Sequence, residues 1–215
     1  MTEPSFTDRA LAADAALWDT AFAHRFARDL PVMDGATPAF RRYLVYEYAL
    51  VLEAIDLVAR AVAAAPTIPE KRWLADALGG LVHAQLAYFD AAFARLGLAP
   101  ARPGTLPVGV SACLAAMRRA GAGGDYGEML AVMFAGEWLY WTWCSAIPAG
   151  AAADPEVAAW IALHTDEAFR DHALWLKALL DDIAGTDPDA APHLAETIAS
   201  TLRRELAFHD AAFAA

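Results

Sequence analysis

Apolar residues recur along most of the chain at three- and four-residue spacing, the signature of helices that bury one face. The pattern is densest from Asp125 to Pro148, DYGEMLAVMFAGEWLYWTWCSAIP, a stretch apolar nearly all round with Glu137 in its middle. About 22 helical residues at ~1.5 Å each make a rod of roughly 33 Å. A helix apolar on every side belongs inside an all-helical domain. A first helix is expected from Ser5 to Leu30, capped by Ser5 or Thr7, with Leu11, Ala15, Leu17, Trp18 and Phe22 on its apolar face. Asp34-Gly35 supplies a turn. The second helix runs from Pro38 to Ala64, interrupted by Glu47, Glu53 and Asp56, and ends before Pro66. The third starts near Pro69, with Glu70 in its first turn, and stops at Gly97. Beyond the connector APARPGTLPVG come a fourth helix over Val110 to Ala120 and a fifth capped by Asp125. A sixth is expected from Pro155 to Ala184, and a last from Thr186 or Asp187 to about Ala214. No strand-like alternation, repeat period or Gly-rich phosphate loop occurs. The expected architecture is one all-α bundle of about seven helices, a single domain over residues 1–215.

Composition narrows the function classes. The chain has 215 residues, 58% of them hydrophobic, which is ample for a core without staples. A formal charge of −11 argues against nucleic acid, since phosphate binding needs concentrated Lys and Arg. The early acids of the N-terminus do not form a signal peptide, and charges interrupt every long apolar run, so no membrane association is expected. Cys113 and Cys144 have neither metal-ligand spacing nor the look of a disulfide framework, and a cytoplasmic protein fits. The mean hydropathy of +0.31 points to helix surface buried between subunits of a homo-oligomer.

Four polar groups on apolar helices then need a reason. Glu137 is followed by Tyr140 and Trp141 at i+3 and i+4, so a carboxylate and aromatic rings share a face, as on the floor of a small-molecule site. Glu47 lies in YLVYEYALVL with apolar neighbours on nearly every side, where a buried ion pair is the competing explanation. Glu205 precedes Phe208 and His209 at i+3 and i+4, but also follows Arg203 and Arg204, so a solvated surface charge is the alternative. His164 follows Trp160 at i+4, where a hydrogen-bonded core histidine is the commoner case. His83, His172 and His209, with Asp90, Asp166 and Asp171, raise the question of a metal. A helical di-iron site wants a Glu-x-x-His pair on each of two helices, and none occurs here, so no metal is expected.

The stretches FRRYLVYEYALVL, FAGEWLYWTW, WIALHTDEAF and RELAFHDAAF resemble, in that order, the signature stretches of the TenA/thiaminase-II family. The resemblance implies the haem-oxygenase-like all-α fold, activity on thiamin-related aminopyrimidines, no cofactor, and a dimer or tetramer. The acid that the family uses to hold the pyrimidine edge falls on Glu47, where Asp is commoner. The family's proton-transfer acid falls on Glu205, its fifth-helix Tyr on Tyr140, and a further matching position on Phe208. The family's nucleophilic Cys, in a Leu-Pro-Cys-x-Trp-x-Tyr motif, is replaced by Gly136, with Glu137 next. Leu50, His164 and His209 stand where the family has aromatic residues, and Cys113 where it has a pocket tyrosine. This pattern resembles the Cys-lacking, Glu-containing E type, associated with hydrolysis of formylaminopyrimidine and aminopyrimidine to hydroxymethylpyrimidine.

A missing thiol is consistent with acid–base hydrolysis rather than covalent catalysis. Cys144 lies two turns past Glu137, about 10 Å along the axis. In the expected mechanism Glu137 and Glu205 divide the roles of acid and base, Glu47 holds the aminopyrimidine edge, and Tyr140 stacks on the ring with its aromatic neighbours. The alternatives are a hydrolase of another heteroaromatic amine or amide on the same fold, and a non-catalytic binding or regulatory protein.

Overall fold

A computed structural model describes residues 3–102 and 104–214 of the chain; Pro103, inside the expected connector, lies outside them. The described residues form eleven α-helices, with no strand among them. These are α1 (Phe6–Ala13), α2 (Ala15–Phe22), α3 (Arg25–Asp29), α4 (Pro38–Ala64), α5 (Ile68–Gly80), α6 (Leu86–Leu96), α7 (Val108–Gly123), α8 (Tyr126–Ala146), α9 (Pro155–Leu163), α10 (Glu167–Thr186) and α11 (Ala191–Phe213). They make seven rods, two of them broken where the hydrophobic pattern runs through uninterrupted.

Both breaks have side-chain causes. The expected first helix divides because Asp14 accepts the Leu17 amide at 3.2 Å and His24 Nδ1 accepts the Phe26 amide at 3.1 Å, each starting a new helix. The expected sixth helix divides at His164–Asp166, where the Asp166 side chain takes the Phe169 amide at 2.7 Å and caps α10. Ser5 and Asp125 cap α1 and α8 as expected, and Gly97 ends α6 with φ of 62°. Thr67 and Asp154, not anticipated as caps, start α5 and α9, and α7 outruns its expected bounds by running from Val108 to Gly123. The last helix starts later than expected, at Ala191, because α10 continues to Thr186 and residues 187–190 turn the chain. Between α5 and α6 the rod does not stop, but Leu81–Gln85 widen into a π-helical turn.

Packing places α8 at the centre. Met129, Leu130, Phe134 and Leu139 on it have no exposed surface, and the rod touches α2, α4, α7, α10 and α11. Each such side chain contributes about 1.5–3 kcal/mol by burial, against about 1 kcal/mol for a cap. Caps therefore decide where helices begin, and packing decides where the rods lie. The buried apolar residues form one contiguous cluster that draws on almost every helix. No helix among the described residues is long and apolar enough to cross a membrane.

The contact between α7 and α11 is unusually close. A Cβ added at Gly109 would lie 2.5 Å from the Ala207 carbonyl oxygen, a backbone atom that cannot swing aside. Overpacking of this kind costs about 1–3 kcal/mol, more than the ~0.5–1 kcal/mol that Ala gains over Gly in a helix. Gly109→Ala is therefore expected to lower the melting temperature in a thermal unfolding scan. A value at or above wild type would show that the two helices are free to separate.

Candidate active site

A partly open cavity of ≈100 Å³ lies between these rods. That is room for several waters or one small ring, since a single water needs ~10–15 Å³. Helical spacing explains who lines it. Glu47, Leu50, Val51, Ala54 and Val58 form one stripe of α4, and Val132, Met133, Gly136, Glu137 and Tyr140 one stripe of α8. Cys113 and Met117 come from α7, Thr201, Arg204 and Glu205 from α11, His164 and Phe169 from the α9–α10 junction, and Leu81 and Gln85 from the π turn.

Glu47 is 2% exposed. Trp160 Nε1 donates to its Oε2 at 2.6 Å, and its Oε1 lies 3.7 Å from His164 Nε2. His164 Nδ1 sits 2.9 Å from the Trp160 carbonyl, which only accepts, so Nδ1 carries the proton and Nε2 is left as a lone pair. An ionised Glu47 would set acceptor against acceptor; a protonated one resolves the contact. Burial raises the Glu47 carboxyl to about 8 against the Trp160 hydrogen bond, with the Glu205 charge adding to the rise. Burial lowers His164 to about 4. The break between α9 and α10 makes this arrangement, because His164 is the residue at the end of α9. Tyr140 stacks on its ring at 5.3 Å and Phe169 meets it edge-on at 5.1 Å.

Glu205 is 4% exposed and repeats the device one helix away. His209 Nδ1 donates to the Glu205 backbone carbonyl at 2.7 Å, leaving Nε2 as an acceptor 3.3 Å from the Tyr140 hydroxyl. The same hydroxyl lies 3.3 Å from Glu205 Oε2. Tyr140 has one proton for two acceptors, so a proton on Glu205 completes the chain. Burial raises Glu205 to about 7 and lowers His209 to about 3. Cys113 Sγ is 4.0 Å from Glu205 Oε1, and burial, then the Glu205 charge, push its thiol well above the ordinary range.

Glu137 is set differently. Its side chain is 24% exposed, and its Oε1 faces His172 Nε2 at 3.4 Å. A Cβ at the neighbouring Gly136 would meet only Glu205 Oε1, at 3.7 Å, so the space beside Gly136 opens towards Glu205.

The structure thus gathers Glu47, Leu50, Cys113, Glu137, Tyr140, His164 and Glu205 around one cavity. Two residues fall elsewhere. Phe208, expected against the substrate, has no exposed surface and stands behind the wall, edge-on to Tyr43 at 6.1 Å. Trp141 packs on Trp138 at 5.0 Å and does not line the cavity. Glu205 is no surface charge, although Arg204 beside it also lines the cavity. Gln85, Arg204, Thr201 and Phe169 were not foreseen. For Gln85 the signal was Gly79-Gly80 just ahead of it in a helical pattern, since π turns gather at functional sites. Cys144 borders another space, an open cleft of ≈560 Å³ edged by Pro148, Gly150 and several alanines, with no acid or histidine on it. Among the described residues no three His, Cys, Asp or Glu side chains gather as a metal site.

The rods have the haem-oxygenase-like helical arrangement. Residues 12–215 match the TENA/THI-4/PQQC family, and the chain belongs to it. Similar solved structures include a TenA homologue from Pyrococcus furiosus, 17% identical over 96% of this chain and 99% of the other, with a TM-score of 0.83. A TenA family transcription regulator from a Silicibacter species is 19% identical over 100% of both chains, with a TM-score of 0.85. A protein described as a TenA-like thiaminase from Sulfolobus solfataricus is 15% identical over 99% of this chain and 97% of the other, with a TM-score of 0.78. No curated protein sequence matches the chain.

The shifted groups make stability depend on pH with a definite sign. Glu47 and Glu205 hold protons more tightly folded than unfolded, so each lowers stability as pH rises from 4.5 to about 8 and about 7. His164 and His209 act oppositely, but only up to their ordinary value of 6.5. Above 6.5 the fall stands alone, and the raised His172 adds to it. The melting temperature is expected to fall between about pH 6.5 and 8. Glu47→Gln, which keeps an acceptor for Trp160, is expected to flatten that fall; an unchanged slope would mean that Glu47 does not titrate there.

Proposed function

We propose that the protein hydrolyses thiamin-derived aminopyrimidines, formylaminopyrimidine and aminopyrimidine, to hydroxymethylpyrimidine by carboxylate acid–base chemistry without a thiol nucleophile. The observation that carries this reading is the meeting of Glu47, Glu137 and Glu205, from three helices, on one ring-sized cavity. In either substrate a C–N bond is exchanged for a C–O bond. Water standing beside Gly136 loses a proton to Glu137 and attacks the carbon. Glu205 passes its proton to the departing nitrogen. The division of roles follows from surroundings: Glu137 faces an imidazole that can donate to it, whereas Glu205 is held near pH 7 as a proton carrier.

Glu47, as a neutral acid, turns its one proton from His164 to the ring nitrogen of an aminopyrimidine and accepts from the neighbouring amino group through its other oxygen, which also takes the Trp160 bond. Tyr140, His164 and Phe169 form the wall on which the ring lies. Glycine at position 136 and the raised thiol of Cys113 both favour a mechanism without a covalent intermediate. A second reading, hydrolysis of another heteroaromatic amine, draws on the aliphatic wall of Leu50, Val51, Ala54 and Val58, which makes part of the pocket blind to aromatic stacking. A homo-oligomer belongs to the same proposal, supported by the exposure of Phe22, Ile68, Val82 and Leu174.

Glu137→Gln is expected to lower turnover of formylaminopyrimidine by roughly 100-fold or more with little change in KM. Glu47→Gln is expected to act mainly on KM, by about tenfold. Undiminished turnover in the Glu137 variant would remove that residue from the chemistry.

A further inference from the structure

We propose that His172 is a positioning residue for Glu137, an imidazole donor locked by Trp73 that fixes the direction of the Glu137 carboxylate. The proposal deepens the acid–base reading, since it rests on Glu137 as the base. His172 is 9% exposed and sits on α10, one turn beyond the cavity residue Phe169. Trp73 Nε1 donates to its Nδ1 at 3.1 Å. An indole N–H only donates, so Nδ1 is bare and the ring proton of the neutral imidazole must be on Nε2. Nε2 is the atom that faces Glu137 Oε1 at 3.4 Å.

Two further observations point to a purpose for this contact. His172 Nε2 and Glu137 Oε2 are both buried without a hydrogen-bond partner among the described residues. Two orphaned polar atoms around one contact mark a pair whose alignment is completed by something else, and catalytic hydrogen bonds often tighten only when substrate binds. The ring itself is held. Trp175 stacks on His172 at 5.9 Å and 18°, and on Trp73 at 5.5 Å and 27°, which holds the plane of the imidazole, and turning the ring over within that plane would forfeit the indole bond. Glu137 is the charged group that acts on His172; burial lowers the imidazole's pKa, the carboxylate raises it, and the carboxylate prevails.

Glu205, by contrast, lies beside Tyr140, the Cys113 thiol and the His209 imidazole, with Glu47 and Arg204 lining the same cavity. One acid beside a locked donor and one beside a hydroxyl shared with His209 is the asymmetry that an acid and a base need.

The test has one arm without substrate and one with it. In protein carrying ¹⁵N-labelled histidine, His172 is expected as the Nε2–H tautomer at pH 8, with its titration moved downward by Glu137→Gln and its tautomer released by Trp73→Phe. An Nδ1–H tautomer, or a titration blind to Glu137→Gln, overturns the proposal whatever the substrate is. In the second arm His172→Phe is expected to lower kcat on formylaminopyrimidine by about tenfold or more, leave KM within about twofold and shift the acid limb of the pH profile upward. His172→Gln, which places an amide N–H near the Nε2 position, is expected to restore most of the rate. Equal rates and superimposable pH profiles for wild type and both variants overturn the positioning role. If wild type itself leaves aminopyrimidines untouched, the functional reading fails while the spectra still decide the Trp73–His172–Glu137 contact.

Discussion

Two histidines tied by Nδ1 to carbonyls of their own helical turns set the terms on which this bundle buries its acids. His164 bonds the Trp160 carbonyl and His209 the Glu205 carbonyl, both four residues back. Each is thereby forced to show a bare Nε2 to the interior. With the rings buried, protonating them is costly, so the proton that relieves each site comes from the acid side. Glu47 and Glu205 become proton holders at a pH where an exposed glutamate is ionised. An apolar bundle tolerates two buried carboxyls on these terms, because neutral acids with hydrogen-bond partners cost far less than buried charges.

The helix breaks serve the same end. A continuous α9–α10 rod would need the backbone at His164 to keep its helical bond. Asp166 instead caps a new helix, and His164 ends the previous one with its ring over Tyr140. Close to His209, His24 uses its own Nδ1 to cap α3, and its ring stacks on Trp143, which in turn meets His209 edge-on at 4.8 Å. Local capping and site geometry are thus parts of one network of rings that runs from the N-terminal helices to α11.

Legibility in the sequence followed the range of the signals. The rods α4, α5–α6, α7 and α8 were readable because Pro, Gly and acidic caps bound strongly periodic runs. The breaks at Asp14, His24 and Asp166 were not, because a capping side chain in the midst of an apolar pattern reads as an exposed helical residue. Glu47 and Glu137 stood out as acids among apolar neighbours. Glu205 did not, since Arg203 and Arg204 precede it, and only the third dimension shows that Glu205 is buried while Arg203 pairs with Glu196 and Asp14 at the surface. Phe208 was misplaced for the same reason: it lies close in sequence to the site but on the stripe of α11 that packs behind Tyr43. His172 and Trp73 were invisible as a pair, being 99 residues apart, and nothing local links an indole on α5 to an imidazole on α10.

The wide turn at Leu81–Gln85 carries a consequence for how this chain can vary. Such a turn amounts to one residue inserted into a regular helix. Losing that residue would rotate everything downstream by about 100°. Tyr88, Phe89, Ala92 and Phe93, which α6 buries in the core, would swing towards solvent. Insertion and core are therefore mutually locked, and the spacing of Leu81 and Gln85 along the chamber wall is held by the four residues that α6 buries. The pitch of that wall is set from outside the chamber.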